Sequence, residues 1–356
     1  MREPMDMNAL AANIRDWGHE LGFQQIGITD TALEQAETRL GEWLEQGRHG
    51  DMRWMERHGT KRSRPQELVP GTVRVISARM DYLPEAKESW TQIDSPGAAF
   101  VARYALGRDY HKLLRKRLQQ LATRISETVG EVGYRVFVDS APVMEKPLAE
   151  KAGLGWIGKH TVLINRQAGS WFFLGEIYTD LPLPLDSPAD GHCGSCTACL
   201  DICPTRAITA PYQLDARLCI AYLTIEHQGS IPEHLRPLMG NRVFGCDDCQ
   251  LVCPWNKFAQ PTGEQDFQPR HGLDGAALLE LFQWDEDTFL RRTEGSAIRR
   301  LGHVRWLRNL AVGLGNANPS RAIQDALRGR CGHPSALVRE HAQWALSRQL
   351  INQQQS

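Results

Sequence analysis

The spacing of hydrophobic residues in the first half of the chain predicts alternating helices and strands. Leu10, Ile14 and Leu21 recur at helical intervals, and Gly22 follows as a helix end. Apolar and polar residues then alternate over 25–29, as in a half-buried strand. The same criteria predict helices over 33–44, 110–129 and 143–152, and strands over 73–77, 100–105, 134–138, 161–165 and 171–179. We therefore expect a layered α/β domain, with a strand order that one sequence does not reveal.

Two further regions follow, separated by connectors. Prolines punctuate the stretch 182–188, and a cysteine-containing region comes next. After a polar connector, apolar residues again recur at helical spacing. There the segment 304–311 (VRWLRNLA) resembles 338–345 (VREHAQWA), which favours a helical-hairpin repeat of the HEAT type. The fold class predicted is an α+β multidomain chain, with an α/β domain at 1–181, a ferredoxin-like domain at 182–259 and an all-α HEAT-like domain at 275–356.

Composition argues against a membrane protein. Of the 356 residues, 42% are hydrophobic and 23% are charged, and no run approaches the roughly 20 apolar residues of a membrane-spanning helix. Residues 1–16 contain charges but no apolar signal segment and no paired arginines. We expect a soluble, cytoplasmic protein with no membrane partner.

The net charge of −1 conceals an asymmetry. Residues 288–356 contain eleven arginines, no lysine and three acidic residues, a formal charge of +8, so the preceding part carries −9. A basic C-terminal region on an acidic chain indicates a polyanionic partner.

Seven of the nine cysteines lie in two groups, which without an export signal indicates metal ligands rather than disulfides. The first group, from Cys193 to Cys203 with Pro204, reads C-x2-C-x2-C-x3-C-P, the bacterial ferredoxin run. In that run three cysteines bind one 4Fe-4S cluster and the fourth binds the other. The second group lacks its first cysteine, because Val243 stands there, and Cys219 is the natural replacement.

Eight cysteines thus divide into two sets of four. We assign Cys193, Cys196, Cys199 and Cys253 to one cluster, and Cys203, Cys219, Cys246 and Cys249 to the other. A pair of structural zinc sites is the alternative. Cys331 is interpreted as a small core residue. Because two clusters in series carry single electrons, the α/β domain is expected to house the group that receives them.

Several motifs together resemble the epoxyqueuosine reductase family. They are ARYA at 102–105 with DYH at 109–111, DSAP at 139–142, GLGWIGKHT at 153–161, the eight-cysteine pattern and RLCIAYLTIE at 217–226. The resemblance runs from about residue 8 to the C-terminus.

The resemblance implies a cobalamin beside the two 4Fe-4S clusters, as in the related reductive dehalogenases. The implied reaction removes the epoxide oxygen of epoxyqueuosine at the wobble position of tRNA, giving queuosine and water in the last step of queuosine biosynthesis. It also implies a monomer in which the first domain binds cobalamin and the last docks tRNA. An external one-electron donor of the flavodoxin or ferredoxin type is expected.

Asp139 is the candidate proton donor. Reductive opening of an epoxide takes two electrons at a soft metal centre and a proton for the leaving oxygen. Asp139 ends a predicted strand at a helix entrance, and the matching DSAP context supports the catalytic interpretation. Acting as an acid near neutral pH requires a raised pKa, which burial beside an apolar corrin would give. The alternative is an ordinary carboxylate at a helix N-terminus.

The resemblance also implies the lining of the cobalamin pocket. The glycines of 153–161 allow close backbone approach to a ligand. The residues assigned to this pocket are Arg62, Asp139, Gly155, Lys159, His160, Thr161 and Tyr222, with His160 in the wall rather than on cobalt. The alternatives are a helix cap at Gly153, solvated charges around Arg62 and a core ring at Tyr222.

The C-terminal arginines interleave with an apolar helical stripe, so they are predicted to face solvent and to contact tRNA phosphates. The residues assigned to tRNA are Thr224, Arg299, Arg300, Arg305 and Arg308. A base splayed out of the anticodon loop would enter the cofactor pocket. The alternative is a solubilising helical surface.

Two other functions remain open at this point. A cobalamin-dependent reductive dehalogenase acting on a small molecule would use the same cofactors without needing the basic C-terminal region. A non-catalytic electron-transfer or RNA-binding protein would need no cobalamin.

Overall fold

The structure, a computed structural model, describes residues 6–355. Its α-helices are α1 (Met7–Glu20), α2 (Glu34–Glu45), α3 (Pro65–Leu68), α4 (Ser89–Ile93), α5 (Tyr110–Val129), α6 (Glu145–Lys151), α7 (Ala198–Ile202), α8 (Ile220–Ile225), α9 (Asp248–Leu251), α10 (Leu278–Phe282), α11 (Glu286–Arg292), α12 (His303–Asn316), α13 (Arg321–Arg330) and α14 (Ala336–Gln355). Its strands are β1 (Gln25–Thr29), β2 (Arg74–Asp81), β3 (Phe100–Val101), β4 (Tyr134–Phe137), β5 (Trp156–Ile157), β6 (Leu163–Ile164), β7 (Phe172–Thr179), β8 (Ile208–Ala210), β9 (Gln213–Leu214) and β10 (Arg242–Phe244).

A four-stranded sheet in the order β1-β2-β7-β4 forms the centre of the N-terminal part. All of its neighbouring strands are antiparallel, and β2 and β7 pair from Arg74 opposite Thr179 to Asp81 opposite Phe172. Because side chains alternate across a sheet, each strand supplies two cores. Apolar residues of α1 and α5 pack on one face, and those of α2 and α6 pack on the other.

Helix α5 has the bounds predicted from the sequence. Its buried residues Leu114, Leu118 and Leu121 follow helical spacing. Asp109 caps the first turn by accepting a hydrogen bond from the backbone N–H of His111. Gly130 ends the helix at a φ of 91°, a conformation that favours glycine. This helix fixes the position of the residues in its first turn.

The cysteine-containing region is joined to the N-terminal part through backbone pairing. Strand β10 runs parallel to β3, with Arg242 opposite Phe100 and Phe244 opposite Val101. The C-terminal helices continue this contact, because Ala99 and Val101 share a core with the buried side chains of α12 and α14. The two similar segments 304–311 and 338–345 lie on α12 and α14, which pack against each other. The HEAT assignment stays a prediction.

Three predicted elements are shorter in the structure. The predicted strand 100–105 is only β3, because the chain turns into a 3-10 helix at Arg103–Ala105. The predicted helix 143–152 begins at Glu145, and the predicted strand 161–165 is reduced to β6 by a turn at Thr161, whose φ is 68°. Within residues 6–355, no helix is long and apolar enough to cross a membrane.

Candidate active site

Asp139 follows β4 in a tight turn that leads into α6. Its φ of 44° lies in the left-handed region, which non-glycine residues adopt rarely. Its backbone N–H donates a hydrogen bond of 2.6 Å to Oε1 of Glu145. About half of its side chain (48%) is exposed, so the carboxylate is accessible to a ligand.

Two residues in the first turn of α5 hold the Asp139 carboxylate. The Tyr110 hydroxyl donates to its Oδ2 at 2.7 Å, and Nε2 of His111 lies 3.1 Å from the same oxygen. On its other side, Nδ1 of His111 lies 2.6 Å from Oδ1 of Asp109. Tyr110 is itself fixed by stacking on Phe173, with ring centroids 3.8 Å apart. The sequence analysis named DYH as part of a motif but gave His111 no role.

The proton in this group resides on His111. Burial raises the pKa of Asp139, but hydrogen bonds from His111 and Tyr110 and the charges of His111 and Arg300 lower it below its usual value. Burial lowers the pKa of His111, but hydrogen bonds to Asp109 and Asp139 raise it to about 9. The expectation of a raised pKa at Asp139 is therefore wrong, because two donors stabilise its charged form.

Residues from the other two parts of the chain lie close enough to Asp139 to interact with it electrostatically. Burial raises the pKa of Glu226, which follows α8. The charges of Arg300 and Arg305 lower this pKa in part, and the charge of Asp139 raises it. Arg300 is exposed and lies in the 3-10 helix Ala297–Leu301, just before α12. Asp139, Glu226 and Arg300 thus bring charged groups of the N-terminal, cysteine-containing and C-terminal parts close together.

The glycine-rich stretch is linked to α6, the helix that follows Asp139. Lys146 donates from Nζ to the carbonyl oxygen of Thr161 at 2.8 Å. Burial and the nearby charge of Lys146 lower the pKa of His160 to about 4, so His160 is neutral. Its Nδ1 accepts a hydrogen bond from the Val162 N–H, and its buried Nε2 has no hydrogen-bond partner among the described residues. His160 therefore offers an unused N–H donor.

The structure brings together the four cysteines assigned to the first cluster. Burial and the neighbouring thiols of Cys193, Cys253 and Cys196 together raise the pKa of Cys199 to about 11. These four residues line one small cavity together with His160 and Trp255. Since adjacent thiolates repel one another, such a quartet is stable in its charged form only around a cationic group.

The four cysteines assigned to the second cluster also lie together. Burial raises the pKa of Cys249, as do the charges of Cys219, Asp247, Cys203 and Cys199. Burial likewise raises the pKa of Cys246, with contributions from Asp248 and Cys219. The effect of Cys199 on Cys249 shows that the two quartets are neighbours, as electron transfer between them requires.

Three residues assigned to the cobalamin pocket make close contacts within the protein, and their assignment to the pocket stays a prediction. Lys159 donates from Nζ to the carbonyl oxygens of Gly194 and Cys196, which supports the first cysteine loop. A Cβ at Gly155 would lie 2.2 Å from the carbonyl oxygen of Ile164, so glycine is required by the β5–β6 hairpin. The Tyr222 hydroxyl accepts a hydrogen bond from the Asp51 N–H at 2.7 Å.

Arg62 is buried, contrary to the alternative of a solvated charge. Its Nη2 donates to the carbonyl oxygen of Trp54 at 3.0 Å, and its guanidinium lies over the Trp54 ring. The buried Nε has no hydrogen-bond partner among the described residues. One donor of Arg62 therefore remains available to a polar ligand group.

Two residues assigned to tRNA are buried, and the structure corrects these predictions. Arg308 is fully buried, and its guanidinium donates to the carbonyl oxygens of Leu223, His227 and Gly229. Thr224 is also fully buried, and its hydroxyl accepts a hydrogen bond from the Gly245 N–H. Neither side chain can reach a phosphate, because each already satisfies backbone groups inside the protein.

The other three assigned tRNA residues retain some exposure. Arg299 and Arg300 are exposed, and Arg299 also donates to the carbonyl oxygen of Leu290. Arg305 is half-buried and donates to the carbonyl oxygens of Leu301, Ile225 and Arg300. The apolar spacing of the helices identified which segments are helical but not which arginines bind backbone carbonyls.

Sequence analysis missed two further ionisable residues at the site. Glu145 accepts the Asp139 N–H, and burial raises its pKa to about 8. Glu176 is fully buried in the middle of β7. A signal for Glu176 was present, since an acidic residue interrupts the otherwise apolar run FFLGEIYT.

Two neighbouring cysteine quartets define the class of protein, an iron–sulfur redox protein. A family model described as a 4Fe-4S double cluster binding domain matches residues 192–256, which contain all eight assigned cysteines. This match favours iron–sulfur clusters over the zinc alternative. A second model, described as epoxyqueuosine reductase QueG, DUF1730, matches residues 62–140, which contain Asp139 and its partners on α5.

Curated relatives and a solved structure extend the match to nearly the whole chain. The epoxyqueuosine reductase of Pseudomonas aeruginosa is 64% identical over 97% of this chain and 96% of its own. That of Escherichia coli K12 is 58% identical over 98% of this chain and 92% of its own. A crystal structure of an epoxyqueuosine reductase with an epoxyqueuosine-modified tRNA-Tyr stem loop has a TM-score of 0.88 and 26% identity, covering 97% of this chain and 91% of that one. This chain belongs to the epoxyqueuosine reductase family.

Proposed function

We propose that this protein reduces epoxyqueuosine in tRNA to queuosine. The observation that carries the proposal is the Asp139–His111 pair, whose carboxylate lies close to Arg300 of the basic C-terminal part and to Glu226 of the cluster-binding part. Family membership supplies the substrate, since the relatives bear the name of this reaction and one similar structure contains an epoxyqueuosine-modified stem loop. It does not favour a small-molecule dehalogenase.

The reaction is balanced by two electrons and two protons. Both carbon–oxygen bonds of the epoxide break, a carbon–carbon double bond forms, and the oxygen leaves as water. The eight cysteines hold the two 4Fe-4S clusters that conduct the electrons. Protonated His111 lies 3.1 Å from Asp139, so a proton passes from Nε2 through the carboxylate to the epoxide oxygen. Asp139 is thus the group that touches the substrate, and His111 holds the proton behind it.

The residues present fit a cobalamin beside the first cysteine quartet. The buried Nε2–H of His160 lacks a partner, and His160 lies between the cavity of the first quartet and the turn at Thr161. Arg62 offers a second unused donor for a polar group of the cofactor. His160, Thr161 and Arg62 would hold the cofactor, whose cobalt supplies soft, low-valent metal chemistry for breaking carbon–oxygen bonds. Because His160 is neutral and packed beside the cysteines, it belongs to the pocket wall.

The C-terminal part would position the tRNA. Arg299 and Arg300 supply exposed guanidinium groups for phosphate oxygens, with Arg305 behind them. We keep the division into a catalytic domain at 1–181, a two-cluster domain at 182–259 and a HEAT-like tRNA-docking domain at 275–356. The proposal further includes a cytoplasmic monomer that receives electrons from an external flavodoxin or ferredoxin.

The test is conversion of the nucleoside by purified protein. The enzyme is reconstituted without oxygen with iron, sulfide and cobalamin, and then given a chemical reductant and tRNA containing epoxyqueuosine. Mass spectrometry of the digested tRNA should show queuosine in place of epoxyqueuosine, and omission of cobalamin should prevent the conversion. Unchanged epoxyqueuosine with a protein that contains both clusters and cobalamin would overturn the proposed function. Conversion without cobalamin would overturn the cofactor assignment alone.

A further inference from the structure

Two acidic side chains lie behind Asp139 and take no part in the chemistry described above. Glu176 stands at the centre of β7, opposite Ser77 of β2 and Phe137 of β4, and is fully buried. Glu145 lies in the first turn of α6, which packs against β7. An acidic residue so deeply buried requires a compensating partner.

The contacts of Glu176 indicate that the two carboxyl groups share a proton. Its Oε1 lies 3.5 Å from the Ser77 hydroxyl, and its Oε2 receives no hydrogen bond from an N–H or O–H group of the described residues. The group beside it is the carboxyl of Glu145. Two adjacent buried carboxylates cannot both be ionised, so a proton between them satisfies Oε2 and removes one charge.

Glu145 connects this pair to Asp139. Its Oε1 accepts the Asp139 N–H at 2.6 Å, which stabilises a residue held at a φ of 44°. A left-handed conformation is unfavourable for a residue with a side chain, so it persists only where neighbouring contacts stabilise it. The other charged or titratable groups that face the pair are Asp139, His111, Lys146, Tyr110 and Tyr178.

We propose that Glu145 is a positioning residue for Asp139, and that a proton shared between Glu145 and Glu176 keeps the Asp139 turn in its reactive position. This role rests on the proposed function of Asp139. With the proton in place, Glu145 binds the Asp139 N–H without adding a second negative charge beside the Asp139 carboxylate. When Glu145 loses this proton, its negative charge repels that of the Asp139 carboxylate, and the turn is released.

Single-turnover rates across pH test the positioning role. The pKa of Glu145, raised by burial and by the charge of Asp139, is about 8, so the wild-type rate should fall as the pH rises through 8. Glu145→Gln keeps an oxygen acceptor and cannot ionise, so the fall near pH 8 should disappear while most of the rate at neutral pH remains. The only fall left should lie near pH 9, where His111 loses its proton. Glu145→Ala loses the acceptor, and misplacement of Asp139 should lower the rate about 100-fold with unchanged tRNA affinity.

Matched variants separate this effect from general damage and from His111. Glu150→Gln changes another acidic residue of α6, which accepts the Ile157 N–H at 2.7 Å, and should keep the wild-type profile. His111→Gln should keep the fall near pH 8. A Glu145→Gln enzyme that retains this fall, or a Glu145→Ala enzyme with the wild-type rate, would overturn the proposal. If Glu145→Ala does not fold, the Glu145→Gln profile decides.

Infrared spectroscopy tests the shared proton without turnover. In reconstituted wild-type protein, a protonated-carboxyl band should weaken as the pH rises through about 8. Glu145→Gln should lose this pH-dependent change, because only Glu176, whose pKa burial raises, is left to carry a proton. A wild-type spectrum without this band would overturn the shared proton. Because this readout needs no substrate, a protein that shows the band but does not convert epoxyqueuosine would refute the proposed function and leave the carboxyl pair established.

Discussion

At the scale of single residues, the site separates the group that touches the substrate from the group that stores the proton. Asp139 is accessible but ionised, because Tyr110 and His111 both stabilise its negative charge. His111 is protonated, because it lies between the carboxylates of Asp109 and Asp139. A carboxylate supplied with protons by a neighbouring cation can deliver a proton at neutral pH without a raised pKa of its own.

Removing the Asp139 carboxylate should abolish turnover but leave binding intact. Asp139→Asn cannot transfer the proton of His111, so the single-turnover rate should fall about 10²- to 10⁴-fold, the usual contribution of a general acid. Iron content and tRNA affinity should stay at wild-type levels, and Asp94→Asn, at the exposed end of α4, is the control. Queuosine formation by Asp139→Asn at the wild-type rate would remove Asp139 from the mechanism.

His111 should also make stability depend on pH. Its pKa in the folded protein, about 9, lies above the ordinary value of 6.5, so its stabilisation is complete below pH 6.5 and is lost as the pH rises to about 9. With a side chain only 13% exposed, this shift corresponds to roughly 3 kcal/mol. Chemical denaturation of reconstituted protein should show a smaller loss between these pH values for His111→Gln than for wild type or for the exposed control His58→Gln. Equal losses would mean that the His111 charge does not stabilise the fold.

At the scale of elements, helix α12 binds the cysteine-containing part through a buried arginine. Arg308 satisfies the carbonyl oxygens of Leu223, His227 and Gly229, which lie in and just after α8. Asn309 adds bonds from its amide to the carbonyl oxygens of Thr224 and Val243. These contacts fix α8, and therefore Glu226 and the cysteine that precedes α8, relative to the C-terminal helices.

Truncation of Arg308 should weaken this connection. Arg308→Ala leaves several buried carbonyl groups without donors, so the free energy of unfolding should fall by about 3 kcal/mol or more. Arg321→Ala, at a side chain that is 85% exposed and pairs with Asp325, should change it by less than about 0.5 kcal/mol. Thermal unfolding and iron content of the two variants provide the measurement. A stable Arg308→Ala protein with full iron content would show that other contacts hold α8.

The elements that the sequence predicted correctly are those whose local pattern and packing agree. Helix α5 has a cap, helical apolar spacing and a closing glycine, so its bounds follow from the chain itself. The segment 100–105 has strand-like residues, but tertiary pairing with β10 extends over only two of them. Arg308 and Arg300 are chemically identical, and only the packing of α8 against α12 decides that one is buried and the other exposed.

At the scale of the whole molecule, the two parts of the chain carry opposite net charges, and charged groups of both parts lie close together around Asp139. Residues 1–287 carry −9 and residues 288–356 carry +8. Asp139 and Glu226 lie close together, and both would repel the phosphates of an approaching tRNA. Arg300 lowers the pKa of both acidic residues, so its positive charge offsets their negative charge. The charge asymmetry is visible in the sequence, whereas the proximity of Arg300 to Asp139 and Glu226 is visible only in the folded chain.

Loss of the exposed arginines should therefore weaken tRNA binding in a salt-dependent manner. Each phosphate contact removed lowers the slope of log affinity against log salt by about one, so Arg299→Gln with Arg300→Gln should reduce the slope by about two. Binding of an unmodified stem loop to reconstituted protein, measured at several salt concentrations, gives this slope. Arg321→Gln is the matched control, because Arg321 is already paired with Asp325. If the double variant retains the wild-type slope, the tRNA phosphates bind elsewhere on the protein. Arg300 would then serve only to offset the negative charges of Asp139 and Glu226.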